Sequence, residues 1–148
     1  MMNTMKTVKT DLEVVKTIVL AASPVRVWRA LTDPAELVQW FPDKAAEVEV
    51  RTGAEGHWVW AQYGRFAVRF DVVEEPVRLV WTWAREADRR LNETNTTTVE
   101  FRLERNADGG TTLHVRETGF RRDVDRQDND EGWDKELGEL REYLSANR

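Results

Sequence analysis

The sequence predicts an α+β domain, with one curved antiparallel sheet and one long helix laid against it. Three observations carry that expectation. From Ala46 to Gly119 apolar residues recur mostly at every second position, the period of strands with one buried face. The strands are joined mainly by short runs of turn residues, which sets neighbouring strands antiparallel. The last stretch then changes period: Trp133, Leu137, Leu140 and Leu144 fall at i, i+4, i+7 and i+11, one helical stripe.

The elements follow in order. "VVKTIVLAA" (Val14–Ala22) is β-branched and apolar and reads as a first strand. Ser23 and Pro24 then supply a cap and a first helical residue, and Trp28 and Leu31 share a face. Asp33 and Pro34 repeat the device for a second short helix carrying Leu37 and Trp40. "AEVEVRTG" and "GHWVWAQY" read as strands, with a turn at Gly64. "RFAVRFDVV" puts Phe66, Val68, Phe70 and Val72 on one face; past Pro76, "VRLVWTWAR" does the same with Val77, Leu79, Trp81 and Trp83. "TTTVEFRLER" aligns Val99, Phe101 and Leu103, "NADGG" makes a hairpin turn, and "TTLHVRETGF" returns with Leu113, Val115 and Glu117 aligned. Asp128 with Glu131 resembles a capping box at the start of the terminal helix.

The bulk numbers bound the possibilities. A chain of 148 residues suits a single domain, with 1–11 expected as a flexible tail. Hydrophobic content of 41% and charged content of 33% fit a soluble globular protein. A net charge of −5 argues against nucleic acid or an anionic membrane as main partner, because binding either usually needs a basic face; Arg65, Arg69, Arg121, Arg122 and Arg126 are scattered candidates for a local basic patch, read here as a solvated surface. No run is long and apolar enough for a membrane span or a signal peptide. Cysteine is absent, which excludes disulfides and thiolate chemistry and fits a cytoplasmic setting. His57 and His114 face outward by parity and lack metal-ligand spacing, so no metal or cofactor is expected. The serines are only Ser23 and Ser145, so a serine triad is not expected either.

Two tryptophan pairs stand out. Trp58 with Trp60, and Trp81 with Trp83, each lie two apart and so share a sheet face. Burying one large aromatic removes ~150–250 Å² from water, at most about 4–6 kcal/mol. Most of that area must therefore be covered. The cover is either core packing against the helix or, in part, a ligand in a cavity. Trp40, Phe70, Phe101, Trp133 and Leu137 share the interior these faces predict. Glu117 has the parity of the core residues, and a buried carboxylate needs partners. It reads as a hydrogen-bond anchor or general base, or as lying where the strand twists out. Gln62 and Tyr63 are further polar candidates.

"ASPVRVWRALTDPAELVQWF", "PVRLVWTW", "GGTTLHVRETGF" and "EGWDKELGELREYL" together resemble the activator-of-heat-shock-protein-90-ATPase-like domains of the START and birch-pollen-allergen-like (SRPBCC) superfamily. The resemblance runs from about Val14 to Leu144. It implies a helix-grip fold, with about six to seven strands around the terminal helix and a cavity between them. Superfamily members bind lipids, sterols and polyketides, and some are aromatases or cyclases. The eukaryotic activator joins such a domain to a separate N-terminal one to stimulate its chaperone, in a stress response; this chain has room for the helix-grip domain alone. The leading expectation is binding of a hydrophobic small molecule by Trp40, Trp58, Trp60, Phe70, Trp81, Trp83, Phe101, Glu117, Trp133 and Leu137, by a monomer or homodimer. The alternatives are a polyketide cyclase-like enzyme using Glu117, and a module for a chaperone or regulatory protein.

Overall fold

The computed structural model describes residues 12–147, so the expected tail at 1–11 lies outside the described residues. Strand β1 (Glu13–Leu20) leads into helices α1 (Pro24–Thr32) and α2 (Pro34–Trp40). Then come β2 (Ala45–Glu47), β3 (Glu55–Trp60), β4 (Gly64–Glu74), β5 (Arg78–Ala84), a 3-10 turn at Leu91–Glu93, β6 (Thr96–Arg105), β7 (Thr111–Thr118) and the long helix α3 (Asp123–Ala146). The seven strands form one sheet in the order β1-β7-β6-β5-β4-β3-β2, and every neighbouring pair is antiparallel. β1 closes the meander by pairing with the last strand.

Local chemistry sets the helix starts. The Ser23 hydroxyl accepts from the Arg26 amide at 3.3 Å, and the Asp33 carboxylate from the Ala35 amide at 3.0 Å. Each cap is followed by a proline whose fixed φ suits the first turn. The two helices are tied to α3 through Glu36. Its carboxylate accepts from Arg26 and Arg29, both at 2.7 Å, and from the Tyr143 hydroxyl at 2.8 Å. Burial alone would raise the Glu36 pKa. The Tyr143 hydroxyl and the Arg26 guanidinium outweigh it, and the carboxyl sits below its ordinary value. On the other side of α3, Lys16 of β1 reaches Asp130 at 3.0 Å and Asp134 at 2.9 Å.

Four details differ from the sequence expectation. Helix α3 begins at Asp123 rather than near Asp128, and no side chain caps it. Acidic residues in the first turn favour the positive end of the helix dipole, and Asp123 holds Arg126 and Gln127, both at 2.7 Å, along one face. In β4 the register slips between Phe70 and Val72. Val73, not Val72, therefore packs on the core opposite Leu79, because a bulge shifts the alternation by one residue. Val77 sits in the β4–β5 turn and is exposed instead of joining the inner face. The strand expected over "AEVEVRTG" is only three residues long. Past Glu47 the backbone crosses Gly56 so closely that any side chain there would strike the Glu47 carbonyl.

The inner face of the sheet and the apolar stripe of α3 enclose the core. Trp133, Leu137, Leu140 and Leu144 are all buried there. Beside this core, Phe41, Trp60, Trp83 and Trp133 line an opening.

Candidate functional site

Phe41 follows α2 directly and wedges between the two tryptophan pairs. Its ring meets Trp58 and Trp60 edge-on at 5.2 and 5.3 Å, lies tilted to Trp81 and Trp83, and stacks on Trp133 at 5.7 Å with planes 9° apart. Edge-to-face and offset stacking are the arrangements the ring quadrupoles favour. One phenylalanine thus links both strands to the helix.

The pairs divide by depth. Trp58 is 1% exposed and Trp81 2%, and both are core residues. Trp60 and Trp83, one strand repeat further on, are half-buried and form the wall of a cleft. The cleft has a volume of about 720 Å³. Phe41, Trp60, Phe66 and Trp83 line it from one side, with Asp43, Gln62 and Tyr63 at their ends; α3 contributes Asp128, Asn129, Gly132, Trp133, Lys135 and Glu136 from the other. Of the residues expected at a ligand site, the cleft holds Trp60, Trp83 and Trp133. Trp40, Trp58, Phe70, Trp81, Phe101 and Leu137 are packed in the core. Trp40 is directed elsewhere, its indole N–H donating to the Ala30 carbonyl at 2.9 Å. The Trp58 indole nitrogen is buried with no hydrogen-bond partner among the described residues.

Glu117 points inward and is 0% exposed. Its Oε1 accepts from Asn129 Nδ2 at 2.9 Å and Trp133 Nε1 at 2.8 Å, and its Oε2 from Trp83 Nε1 at 2.9 Å and Thr97 Oγ1 at 2.5 Å. A carboxylate has about four acceptor directions, and here four donors fill them. They come from β5, β6 and α3, with Glu117 itself on β7. The indole edges of Trp83 and Trp133 are thereby fixed, and both rings belong to the cleft wall. Asn129 and Trp133 lie four apart on α3, which brings both donors to the same oxygen.

Glu136 is the contrasting carboxylate. It lies three residues beyond Trp133 and turns toward the same cleft. Its side chain is only 14% exposed, and its Oε2 is buried without a hydrogen-bond partner among the described residues. The nearest cation, Lys135 Nζ, stands 3.7 Å from Oε1 and is closer to Glu139, at 3.1 Å. Burial, and then the negative charge of Glu139, push the Glu136 pKa up to about 8. Phe41, Asp43, Asn129 and Glu136 were not singled out from sequence. The available signal for Asn129 and Glu136 was their helical spacing, i−4 and i+3, from Trp133.

Among the described residues, four of the five scattered arginines are paired with carboxylates. A hollow of about 760 Å³ brings together His57, Arg65, Arg69, Arg89 and Arg90 with Glu55 and Asp88. Arg65 pairs with Glu47 at 2.9 Å and Arg69 with Asp71 at 2.7 Å. His57 has its pKa lowered by burial and by Arg65. Arg122 pairs with Asp125 at 3.2 Å and Arg126 with Asp123 at 2.7 Å. Among the described residues, no helix is long and apolar enough to cross a membrane, and no group of three or more His, Asp or Glu residues is placed to hold a metal ion.

The family described as "Activator of Hsp90 ATPase homolog 1-like protein" matches residues 21–145. No curated protein matches the sequence. Among solved structures, a protein of Mesorhizobium loti is 23% identical with a TM-score of 0.81, the match covering 92% of this chain and 98% of that one. DynU16, a protein from the dynemicin biosynthetic locus, is 26% identical with a TM-score of 0.80; the match covers 93% of this chain and 48% of DynU16. The Aha1 dimer from Colwellia psychrerythraea, solved in solution, is 17% identical with a TM-score of 0.75, covering 89% and 95% of the two chains.

Proposed function

The chain belongs to the Activator of Hsp90 ATPase homolog 1-like protein family, and we propose that its cleft binds an apolar, aromatic small molecule. The observation that carries this reading is the division of the tryptophan pairs. Trp58 and Trp81 complete the core, while Trp60 and Trp83 leave aromatic surface facing a cleft of about 720 Å³. That volume lies within the range of small-molecule sites, which are mostly apolar with a few placed polar groups. DynU16, with its similar fold, comes from the locus for dynemicin biosynthesis, which agrees with a small-molecule role.

The geometry favours binding over catalysis by Glu117. A general base must be free to take a proton, and this carboxylate already accepts from four donors. Its place in the reading is to hold Trp83 and Trp133 at fixed angles, so the site is formed before the ligand arrives. Preorganisation of this kind removes part of the ordering cost of binding. A chaperone contact rests on the family's description alone.

Titrating a panel of neutral fused-ring compounds while following tryptophan fluorescence tests the reading. At least one compound is expected to quench the emission saturably. Trp60→Ala is expected to weaken that compound's binding by about tenfold or more, the equivalent of one lost aromatic contact. Absence of saturable quenching or thermal shift across the panel would overturn it.

A further inference from the structure

We propose that the cleft selects aromatic ligands carrying a basic nitrogen, and that Glu136 is the group that receives it. The inference rests on the binding reading above and names the ligand class for that site. It begins from the contrast between two buried glutamates. Glu117 has every acceptor direction filled. Glu136 lines the cleft, but among the described residues only Lys135 stands near its Oε1, at 3.7 Å, and its Oε2 is buried with no donor. A buried carboxylate is costly when charged, and the long Lys135 pair does not offset burial and the charge of Glu139, so Glu136 holds its proton until a closer cation is supplied.

The charges around Glu136 leave room for that cation. On α3 itself stand Lys135 and Glu139, and Asp43 approaches from the segment after α2. Asp128 and Arg85 complete the charged lining. The two positive side chains are both engaged: Lys135 with Glu139 at 3.1 Å and only loosely with Glu136 at 3.7 Å, and Arg85 over the Phe120 ring at 5.1 Å with Asp125 at 3.9 Å. Three carboxylates, Asp43, Asp128 and Glu136, thus share the cleft with the indoles of Trp60 and Trp83. A protonated amine on a planar ring system fits both halves of this lining. Its ring meets the indoles, its charge draws on their π faces, and its N–H donates to Glu136 in a charge-assisted bond.

Below about pH 8 free Glu136 carries a proton. Binding an ammonium ligand makes the carboxylate ionise, so one proton leaves for each ligand bound. Affinity for a cation therefore rises with pH, by up to about tenfold per unit, and levels off once the free carboxyl is already ionised.

The probes are naphthalen-2-ylmethylamine, 2-ethylnaphthalene and naphthalene-2-carboxylate, which share one ring system and differ in charge. Calorimetric titration of the full chain at pH 6, 7 and 8, in buffers of different ionisation enthalpy, reads both affinity and proton release. The amine is expected to bind about tenfold or more tighter than the neutral probe at pH 8, with proton release at pH 7. Glu136→Gln is expected to abolish both the preference and the pH slope, so that the amine and 2-ethylnaphthalene bind the variant alike. Equal binding of amine and neutral probe, or a preference that survives in Glu136→Gln, overturns this inference and leaves the binding reading standing. Failure of all three probes to bind overturns both.

Discussion

Replacing Glu117 with glutamine is expected to destabilise the fold by about 3–5 kcal/mol, a large share of a typical net stability of ~5–15 kcal/mol. The substitution keeps shape and volume, so its effect isolates the hydrogen bonds. Glu117 accepts from all four partners, and three of them, the Asn129 Nδ2 and the two indole nitrogens, can only donate. An amide offers one accepting oxygen and turns an NH2 group toward the other pair, where the Thr97 hydroxyl can reverse to accept but an indole N–H or Asn129 Nδ2 cannot. Each buried donor left unpaired costs about 1–3 kcal/mol. Glu117→Ala strands all four donors, although water can enter the space, so alanine and glutamine are expected to be similarly damaging. Denaturant unfolding of the two variants measures this, and a loss under about 1 kcal/mol for Glu117→Gln would show that the cluster is not holding the sheet to α3.

Trp81→Ala is expected to have an effect of similar size by a different route. Trp81 is 2% exposed and meets Phe41, Trp58, Trp83, Phe101 and Trp133. Removing it opens a cavity at the centre of the aromatic cluster, where no neighbour can close in without breaking another ring contact. Large-to-small changes of this kind cost about 3–5 kcal/mol. For a domain of this size each 1 kcal/mol lowers Tm by roughly 2–4 °C, so a fall of about 6–20 °C is expected in thermal unfolding. A change below about 3 °C would mean that Trp81 is not part of the packed core.

The same alternation that places Trp81 in the core also places Trp83, which is why the two roles were inseparable in the sequence. Parity assigns a face; depth depends on which element covers each position. Phe41 covers the space between the pairs, and its position follows from the end of α2, not from any period. Glu117 was legible as inward-facing through its alignment with Leu113 and Val115. Its four donors come from β5, β6 and α3 and meet only in the fold. Glu136 was the harder case. Glutamate on the flank of an amphipathic helix is normally a solvated residue, and only the cleft beside it gives this one a different environment. The bulge that turns Val73 inward and the early start of α3 escaped the same way, through a register slip and through ion pairs along a polar turn.

The central claim is that Trp60 and Trp83 face a ligand while the deeper indoles face protein. The indole region of a 1H–15N correlation spectrum tests it most directly, since each of the seven tryptophans contributes its own N–H signal. On titration with 2-ethylnaphthalene, the signals of Trp60 and Trp83 are expected to move progressively to saturation. Those of Trp28 and of Trp40, bonded to the Ala30 carbonyl, are expected to stay in place. An unchanged spectrum, or movement of Trp28 and Trp40 without Trp60 and Trp83, would contradict it.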